Sequence, residues 1–420
     1  MFFLYQIIIT ITLIFSPLII FFRILKKKED KKRYKEKFCF PSKKRINGNL
    51  IWFHGSSVGE LLSVLPLVQE LEKNKSINQI LITTSTLSSA QIFKKFIFKK
   101  TIHQFFPIDS VFFSYKFLNY WKPTIAIFVE SEIWPSFFKI INKKKIPLKL
   151  LNARITKKTF NKWRRVKKFS NSVFQNISIA YPQNEETFNY LKKLNVSKIK
   201  KIGNLKFFNN KQSKFTKLDK TFLKNINLKK IGCAASTHSG EEIICANTHV
   251  RLKKKYKNLL TIIIPRHVHR VNKIVNEIKN LDLNIVLHSS RPKKLNNIDI
   301  YLVDTYGDTQ KFYQSSDIVF MGKSLSGKGG QNPLEPTNLG STVLYGPNVD
   351  NFKDTYKLLN KLKVAYKVNG VKSLTQSIDK LITNPNNKKN YLKIAKIGKK
   401  ILNETKDEIN SLFNNEIKKT

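Results

Sequence analysis

The sequence predicts an α/β protein with two doubly wound domains in tandem, preceded by a membrane anchor. Short apolar runs alternate with helical spacing from Asn49 to the region of Tyr345, and a polar stretch rich in Lys and Asn, 209–220, interrupts this alternation. Alternating strands and helices are typical of a parallel sheet with helices on both faces. An uncharged apolar stretch, 2–22, stands before the first of these elements.

The length and composition fit this fold class. A chain of 420 residues with 41% hydrophobic residues can form two packed domains, and wholesale disorder is excluded. Lys+Arg 77 against Asp+Glu 28 gives a formal net charge of +49. Such an excess favours an anionic partner, although compositional drift is an alternative because the lysines are spread along the chain. The three cysteines form no C-x-x-C pair, which predicts neither a disulfide framework nor a zinc site.

The apolar stretch 2–22 has about the ~20 residues needed to cross a bilayer. No positive residue precedes it and no small-x-small cleavage site follows it, so a cleaved signal peptide is not favoured. Arg23 and the lysines at 26–28 come directly after it. By the positive-inside rule, residues 1–25 form an uncleaved single-pass anchor, and the rest of the chain lies in the cytoplasm.

Twelve short apolar runs are predicted to be strands. The first domain, 26–210, contains those at 50–53, 79–84, 102–106, 124–129, 148–151 and 177–180. The second domain, 211–420, contains those at 231–235, 259–264, 284–287, 300–303, 318–320 and 342–345, and its last helix is allowed to pack back on the first domain. In open α/β sheets, ligands bind at the carboxyl ends of the strands, so two such edges predict a cleft.

The turn after the first strand is the strongest candidate site in the first domain. It contains His54, two glycines and two serines, and it delivers Glu60 to the first turn of a helix. Ser57-x-x-Glu60 is also the pattern of a capping box, in which the glutamate only returns a hydrogen bond to the cap. Both readings stay open at this point.

Three segments of the second domain could bind an anion or a nucleotide. Residues 236–242 and 265–267 each follow a strand and are predicted to begin a helix, where free N–H groups attract anions. The glycine-rich segment 322–335 allows a ligand to approach the backbone closely and ends with Glu335 in the first turn of a helix, where a carboxylate can accept a ribose diol. His267-x-His269 has no third ligand at metal-binding spacing, so no metal is expected.

Together these blocks resemble the Kdo transferases, the membrane-anchored enzymes that add 3-deoxy-D-manno-octulosonic acid (Kdo) to the lipid A precursor of Gram-negative bacteria. The similarity runs from the anchor to beyond Phe352. Its markers are the turn 52–60, Glu130-Ser131-Glu132-Ile133-Trp134-Pro135, Asn152-Ala153-Arg154, Gly203-Asn204-Leu205-Lys206, Ser236-Thr237-His238, Pro265-Arg266-His267, Asn332-Pro333-Leu334-Glu335 and Gly346-Pro347.

The resemblance implies a GT-B glycosyltransferase fold, with two Rossmann-like domains facing a cleft and an N-terminal transmembrane helix. The first domain would bind the acceptor, lipid IVA, and the second the donor, CMP-Kdo. Transfer would invert the anomeric carbon without a metal or other cofactor, as a step of lipopolysaccharide core biosynthesis. The implied location is the cytoplasmic side of the inner membrane, with anionic lipid headgroups as neighbours and no nucleic acid as partner.

Residue roles carried over from the family fall into two groups. Glu60 would be the proton acceptor, and Glu130 and Lys206 would stabilise the transition state. Glu130 either orients Lys206 or balances oxocarbenium charge. The residues implied to bind CMP are Pro265, Arg266, His267, Tyr306, Gly307, Asp308, Asn332, Pro333, Leu334 and Glu335.

The chain departs from the family pattern at several positions: Ser136 replaces an Asn, Ser239 a Pro, Lys323 a Gly and Gln331 a His, and Tyr306-Gly307-Asp308 replaces a Met-Gly-Glu type of turn. Two other functions are weighed against Kdo transfer. One is another GT-B glycosyltransferase that uses a UDP-sugar, such as a lipid A disaccharide synthase. The other is a membrane-tethered nucleic-acid-binding protein, which rests on net charge alone.

Overall fold

The structure is a computed structural model that describes residues 1–208, 229–292, 295, 297–386 and 388–418. The chain divides into a first unit, Met1–Phe208 with Gly398–Thr420, and a second unit, Asn209–Ile397. The sequence placed the boundary after residue 210, whereas the units divide after Phe208. The expected linker, 209–220, lies outside the described residues.

The first unit is built on a parallel sheet. Its strands are β1 (Leu50–His54), β2 (Gln79–Thr84), β3 (Thr101–Phe105), β4 (Ile125–Val129), β5 (Leu148–Ala153) and β6 (Ile179–Pro182), in the order β3-β2-β1-β4-β5-β6. Every residue of β1, β2, β4 and β5 is buried, because helices cover both faces of the sheet. The chain leaves β1 on one side and returns to β4 on the other, so the topological switch point lies between these two strands.

The helices of the first unit surround an aromatic core. They are α1 (Phe2–Leu25), α2 (Val58–Leu71), α3 (Leu87–Phe93), α4 (Val111–Trp121), α5 (Pro135–Lys143), α6 (Lys157–Arg165), α7 (Lys167–Phe174) and α8 (Glu185–Lys193), with 3₁₀ turns at Tyr34–Phe38 and Leu205–Phe207. Trp52 of β1 is fully buried, and its ring centroid lies 4.8 Å from that of Phe117 and 5.1 Å from that of Phe128.

The second unit contains a second parallel sheet, of seven strands. They are β7 (Lys230–Thr237), β8 (Leu259–Pro265), β9 (Ile285–Leu287), β10 (Ile300–Leu302), β11 (Ile318–Met321), β12 (Thr342–Tyr345) and β13 (Ala365–Lys367), in the order β13-β12-β11-β7-β8-β10-β9. Its switch point lies between β7 and β11. The helices are α9 (Glu241–Lys253), α10 (Val271–Lys279), α11 (Thr309–Gln314), α12 (Leu334–Asn338), α13 (Lys353–Lys361), α14 (Val371–Thr383) and α15 (Lys388–Ile417), with 3₁₀ turns at Val268–Arg270, His288–Ser290 and Asp350–Phe352.

The C-terminal part of α15 belongs to the first unit. Ile409 and Phe413 are fully buried there. Glu408 accepts hydrogen bonds from Tyr181 Oη at 2.9 Å and from Lys200 Nζ at 2.5 Å. Apolar burial and this polar anchor together explain why the last part of the chain returns to the first sheet.

The predicted fold class, two parallel Rossmann-like sheets behind an N-terminal apolar helix, is confirmed. Three details differ. The sequence missed β13, since an edge strand of three residues with only Ala365 buried has no readable periodicity. Ser236 and Thr237 belong to β7 rather than to a helix start, and Pro265 ends β8. Parallel ladder bonds continue past the apolar runs: Arg266 N–H donates to Thr237 O at 3.0 Å.

Helix α1 is the described helix that is long and apolar enough to cross a membrane. One of its faces contacts the first unit. Tyr5 Oη donates to Asp109 Oδ2 at 2.5 Å, and Gln6 Nε2 donates to Ser136 Oγ at 2.8 Å. The opposite face leaves apolar side chains exposed, among them Phe3, Ile8, Ile11, Ile14, Phe15 and Leu18.

Candidate functional site

Glu60 lies at the switch point of the first sheet, in the first turn of α2. Ser57 N–H donates to Glu60 Oε2 at 3.0 Å, and Glu60 N–H donates to Ser57 Oγ at 3.4 Å, so the capping box is formed. The carboxylate is half-buried. The capping reading of Ser57-x-x-Glu60 is therefore correct as local structure, and any chemical role of Glu60 is additional to it.

Glu130 and Lys206 form a largely buried ion pair at the same edge of the first sheet. Lys206 Nζ lies 2.5 Å from Glu130 Oε1, and the side chains are 22% and 6% exposed respectively. Glu130 follows β4 directly and has a left-handed backbone with φ 57°. A non-glycine residue in this region costs free energy that the surrounding structure must supply, and such positions cluster at functional sites.

Asn152 connects the two sides of this ion pair. Its side-chain Oδ1 accepts a hydrogen bond from Leu205 N–H at 3.2 Å, which holds the turn that carries Lys206. Its own backbone is left-handed, with φ 51°, and the side chain is fully enclosed. Two residues later, Arg154 N–H donates to Glu130 O at 3.2 Å. The Asn152-Ala153-Arg154 block thus fixes the backbone of both Glu130 and Lys206.

Glu132 is a third carboxylate at this edge, and the sequence did not assign it a role. Its Oε2 accepts hydrogen bonds from Ser56 Oγ at 2.5 Å, Trp134 Nε1 at 2.8 Å and His54 Nε2 at 3.0 Å. His54 is fully buried, and its Nδ1 lies 3.0 Å from Thr83 Oγ1. The signal in the sequence was the position of Glu132 two residues after Glu130, with His54 at the end of the neighbouring strand.

The three carboxylates have different electrostatic environments. Burial raises the pKa of Glu60 to about 7, with a further contribution from the negative charge of Glu132 and a smaller one from Glu130. Burial would also raise the pKa of Glu132, but hydrogen bonding to His54 and the charge of His54, with the bonds from Ser56 and Trp134, lower it overall. Groups whose environments separate their pKa values in this way are typical of acid–base sites.

In the second unit, the switch point lies between β7 and β11, where the chain packs very closely. Ser236 has a left-handed backbone with φ 56°, and the register of β7 against β8 shifts between Ala235 and Thr237. Gly322 follows β11, and a Cβ there would come within 2.4 Å of Ser236 O, so only glycine fits. The buried Thr237 Oγ1 has no hydrogen-bond partner among the described residues.

The glycine-rich segment after β11 is organised by Glu241. This fully buried carboxylate accepts hydrogen bonds from the backbone N–H groups of Lys323, Ser324 and Leu325 at 2.7, 3.0 and 2.9 Å. It also accepts one from His238 N–H at 2.9 Å. These N–H groups are therefore occupied by the protein's own carboxylate. The glycines of the segment still allow a ligand to approach the backbone closely, but the N–H groups of 323–325 are not free to bind an anion.

Arg266 and His267 lie at the carboxyl end of β8 and are exposed. They were expected in the first turn of an α-helix, but a 3₁₀ turn intervenes and α10 begins only at Val271. The turn is held by a bidentate pair between Arg270 and the fully buried Glu242, at 2.9 and 3.2 Å. The cationic character of this edge comes from side chains rather than from a helix dipole.

Tyr306-Gly307-Asp308 forms a turn before α11. The Tyr306 side chain is 74% exposed, and Gly307 is left-handed with φ 96°. Asp308 Oδ1 lies 2.6 Å from Lys311 Nζ, and its Oδ2 accepts a hydrogen bond from Thr305 Oγ1 at 2.8 Å. Asp308 is therefore tied to its own turn, while the tyrosine ring and the glycine backbone are open to a ligand.

Asn332-Pro333-Leu334-Glu335 leads into the short helix α12. Pro333 immediately precedes the helix, and Asn332 Oδ1 accepts a hydrogen bond from Leu334 N–H at 3.2 Å. Leu334 is buried, whereas Glu335 in the first turn is exposed. Among the described residues, no group of three or more His, Cys, Asp or Glu side chains is arranged to hold a metal ion.

Comparison with known proteins gives consistent matches. A family model described as 3-deoxy-D-manno-octulosonic-acid transferase (kdotransferase) matches residues 32–209. The 3-deoxy-D-manno-octulosonic acid transferase of Rickettsia bellii is 34% identical over 408 residues, 94% of this chain and 96% of the relative. The protein of the same name from Haemophilus influenzae is 29% identical over 374 residues, 86% of this chain and 85% of the relative.

Solved structures support the architecture. UDP-GlcNAc 2-epimerase from Neisseria meningitidis, bound to UDP-GlcNAc, matches with a TM-score of 0.59 and 16% identity, covering 88% of this chain and 100% of that chain. At this identity the likeness shows the fold alone.

Proposed function

The chain belongs to the 3-deoxy-D-manno-octulosonic acid (Kdo) transferase family, and from this premise we propose that it transfers Kdo from CMP-Kdo to lipid IVA with Glu60 as the catalytic base. The enzyme is a glycosyltransferase of lipopolysaccharide core biosynthesis. One observation carries the assignment of the base: Glu60 is the half-buried carboxylate at the switch point whose pKa is raised to about 7. A base with a pKa near the working pH is partly unprotonated and still basic enough to remove a proton.

The first unit supplies the groups for one displacement. Glu60 removes the proton from the attacking hydroxyl of the acceptor as that oxygen bonds to the anomeric carbon of Kdo and the bond to the CMP phosphate oxygen breaks. Attack from the face opposite the leaving group inverts the anomeric carbon. Lys206, held by Glu130 at 2.5 Å, opposes negative charge that develops on the phosphate or on the sugar carboxylate.

The second unit binds the nucleotide in this proposal. Arg266 and His267, exposed at the carboxyl end of β8, meet the phosphate. The ring of Tyr306 and the backbone at Gly307 are open to the cytosine, and Glu335 accepts the ribose hydroxyls. Two buried glutamates support neighbouring segments of the same edge: Glu242 binds Arg270, and Glu241 binds the 323–325 backbone.

The membrane side of the proposal rests on α1 and on the basic surface. Exposed apolar side chains along α1 and the lysines at 26–28 suit a bilayer with anionic headgroups on the cytoplasmic side. The aromatic and basic stretch 93–100 offers a second lipid contact, with Ile97 96% exposed. Lys100 N–H donates to Glu72 at the end of α2, so the end of this stretch lies at the end of α2 opposite Glu60, about 18 Å away along the helix.

Transfer is tested directly with membranes from cells that express the protein. They are incubated with CMP-Kdo and lipid IVA, and the products are read by mass. We expect lipid IVA that carries Kdo, and none when CMP-Kdo is replaced by a UDP-sugar. Transfer only from a UDP-sugar would assign the fold to a different glycosyltransferase.

Removal of the anchor should abolish tight membrane binding without abolishing Kdo transfer. A chain that begins at Arg23 keeps Glu29 and Glu36, which bind Arg23, Lys37, Arg33 and the Phe105 backbone. We expect it to retain transfer in detergent and to lose tight binding to vesicles, because Glu60, Glu130 and Lys206 make none of their described contacts with α1. A chain that begins at Lys37 loses both glutamates and is the matched comparison, with lower stability expected. A well-folded chain from Arg23 without activity would contradict this prediction.

Glu335 should act on the donor alone. Glu335→Ala is expected to raise KM for CMP-Kdo by the loss of one charged hydrogen bond, about 1.5–3 kcal/mol or roughly 10- to 150-fold. KM for lipid IVA should change little. Asp354→Ala, an acidic residue in the first turn of the nearby α13, is the control with the same change in charge. An unchanged donor KM would remove the ribose assignment.

A further inference from the structure

Glu132 has the most constrained carboxylate near Glu60, yet the proposed reaction gives it no task. Three donors from three segments converge on a single oxygen, Oε2: His54 at the end of β1, Ser56 in the turn before α2, and Trp134 before α5. The side chain is 12% exposed. A carboxylate that accepts several hydrogen bonds, including charge-assisted ones, is strongly favoured in its ionised form.

The donors are themselves rigidly held. The His54 ring stacks on Phe106 with centroids 3.8 Å apart, and its second nitrogen, Nδ1, lies 3.0 Å from Thr83 Oγ1. Thr83 Oγ1 also accepts a hydrogen bond from Trp52 Nε1 at 2.9 Å. A chain of contacts therefore runs from the aromatic core through His54 to Glu132.

Glu130 and Glu132 both lie in the loop after β4. Ser56 Oγ donates to Glu132, and the N–H of the next residue, Ser57, donates to Glu60. The carboxylates of Glu132 and Glu60 are therefore bound to adjacent residues of one turn. Lys206 neutralises Glu130 at 2.5 Å. Glu132 accepts its hydrogen bonds from His54, Ser56 and Trp134 and has no Lys or Arg partner among the described residues. Its negative charge contributes more to the raised pKa of Glu60 than the charge of Glu130 does.

We propose that Glu132, fixed by His54, Ser56 and Trp134, is a positioning residue whose permanent negative charge keeps Glu60 basic enough to take the proton of the acceptor hydroxyl. The inference rests on the proposed role of Glu60. The inference explains why Glu60 is more basic than a glutamate that only serves in a capping box. Glu132 does not touch the substrate and acts through Glu60.

The test is the pH dependence of kcat/KM for lipid IVA, measured with the full-length chain in detergent. In the unchanged enzyme, activity should rise with pH with a midpoint near 7, because the base must be deprotonated. Glu132→Gln preserves size and removes the charge, so the midpoint should move to lower pH by about one unit, and the plateau should fall several-fold. Glu132→Asp preserves the charge and should leave the midpoint close to that of the unchanged enzyme.

Controls separate this inference from a purely structural role and from the proposed function. Glu70→Gln makes the same change in charge at the far end of α2 and should leave the profile unchanged. If Glu132→Asp lowers activity as much as Glu132→Gln with no shift in either profile, Glu132 serves only to hold the loop, and the inference is overturned. It is also overturned if the unchanged enzyme has its midpoint near pH 4.5, the ordinary pKa of a glutamate. This measurement does not depend on the folding of any variant. A fully active Glu60→Gln enzyme would instead remove the proposed base itself.

Discussion

Glu60→Gln is expected to lower kcat by ~10²–10⁴-fold, the usual contribution of a general base. In this structure the substitution removes the basicity of Glu60 and keeps its capping hydrogen bond. The side-chain oxygen of glutamine can still accept the Ser57 N–H bond that Glu60 accepts at 3.0 Å, so the capping box survives. The charge that is lost is unfavourable where it stands, since burial and Glu132 raise the pKa of Glu60 to about 7. We therefore expect the melting temperature to stay the same or to rise, and CMP-Kdo to bind unchanged.

Ser57→Ala is the matched control for the capping role of Glu60. It removes the N-cap oxygen and should cost about 1 kcal/mol of stability. Because the basicity of Glu60 is untouched, kcat should stay within a few-fold of the unchanged enzyme. If Ser57→Ala lowers kcat as far as Glu60→Gln does, or if Glu60→Gln is fully active, the glutamate only caps α2.

Lys206→Met should damage both activity and stability. Loss of a cation that opposes charge in the transition state is expected to lower kcat by ~10²–10³-fold. Removal of one partner of a buried ion pair leaves the other charge uncompensated, at a cost of about 3–5 kcal/mol, and the Glu130 side chain is only 6% exposed. Equilibrium unfolding and single-turnover rates measure the two effects separately.

The double variant Glu130→Gln with Lys206→Met separates catalysis from folding. Both charges are then absent, so most of the stability should return, whereas kcat should stay low. Lys201→Met is the control, because Lys201 pairs with Glu185 on the surface with side chains 49% and 57% exposed, and such pairs contribute little. A double variant that regained activity together with stability would show that Lys206 only supports the fold.

The sequence could place most strands of both sheets because they are apolar runs between polar turns, and β1, β2, β4, β5, β8, β11 and β12 are buried along their whole length. Gln79–Thr84 and Thr342–Tyr345 agree with their predicted bounds to the residue. Most other bounds moved by one or two residues, and at Thr237 and Pro265 backbone pairing continues past the apolar run. The end of a strand is set by backbone hydrogen bonds to its neighbouring strands. The side-chain pattern of one strand carries no information about those bonds.

The motifs predict which residues belong to the candidate site, but they do not predict the contacts that surround those residues. The sequence predicts that the glycine-rich segment 322–335 lets a ligand approach the backbone, whereas in the structure Glu241, more than 80 positions earlier, binds the N–H groups of 323–325. Arg266 was placed at a helix start and lies before a 3₁₀ turn held by Glu242. In both cases the partner is distant in sequence, so local spacing carries no signal for it.

By itself, the sequence determined the N-terminal apolar helix, the order of strands and helices along the chain, and the capping box at Glu60, because each depends on residues within a few positions of one another. Only the tertiary structure decided what kind of acid Glu60 is. Burial and the charge of Glu132 raise its pKa, and a hydrogen bond with His54, on a neighbouring strand, helps to lower the pKa of Glu132. Electrostatic interactions act through space, so the chemistry of this edge follows from the folding of β1 and β4 side by side.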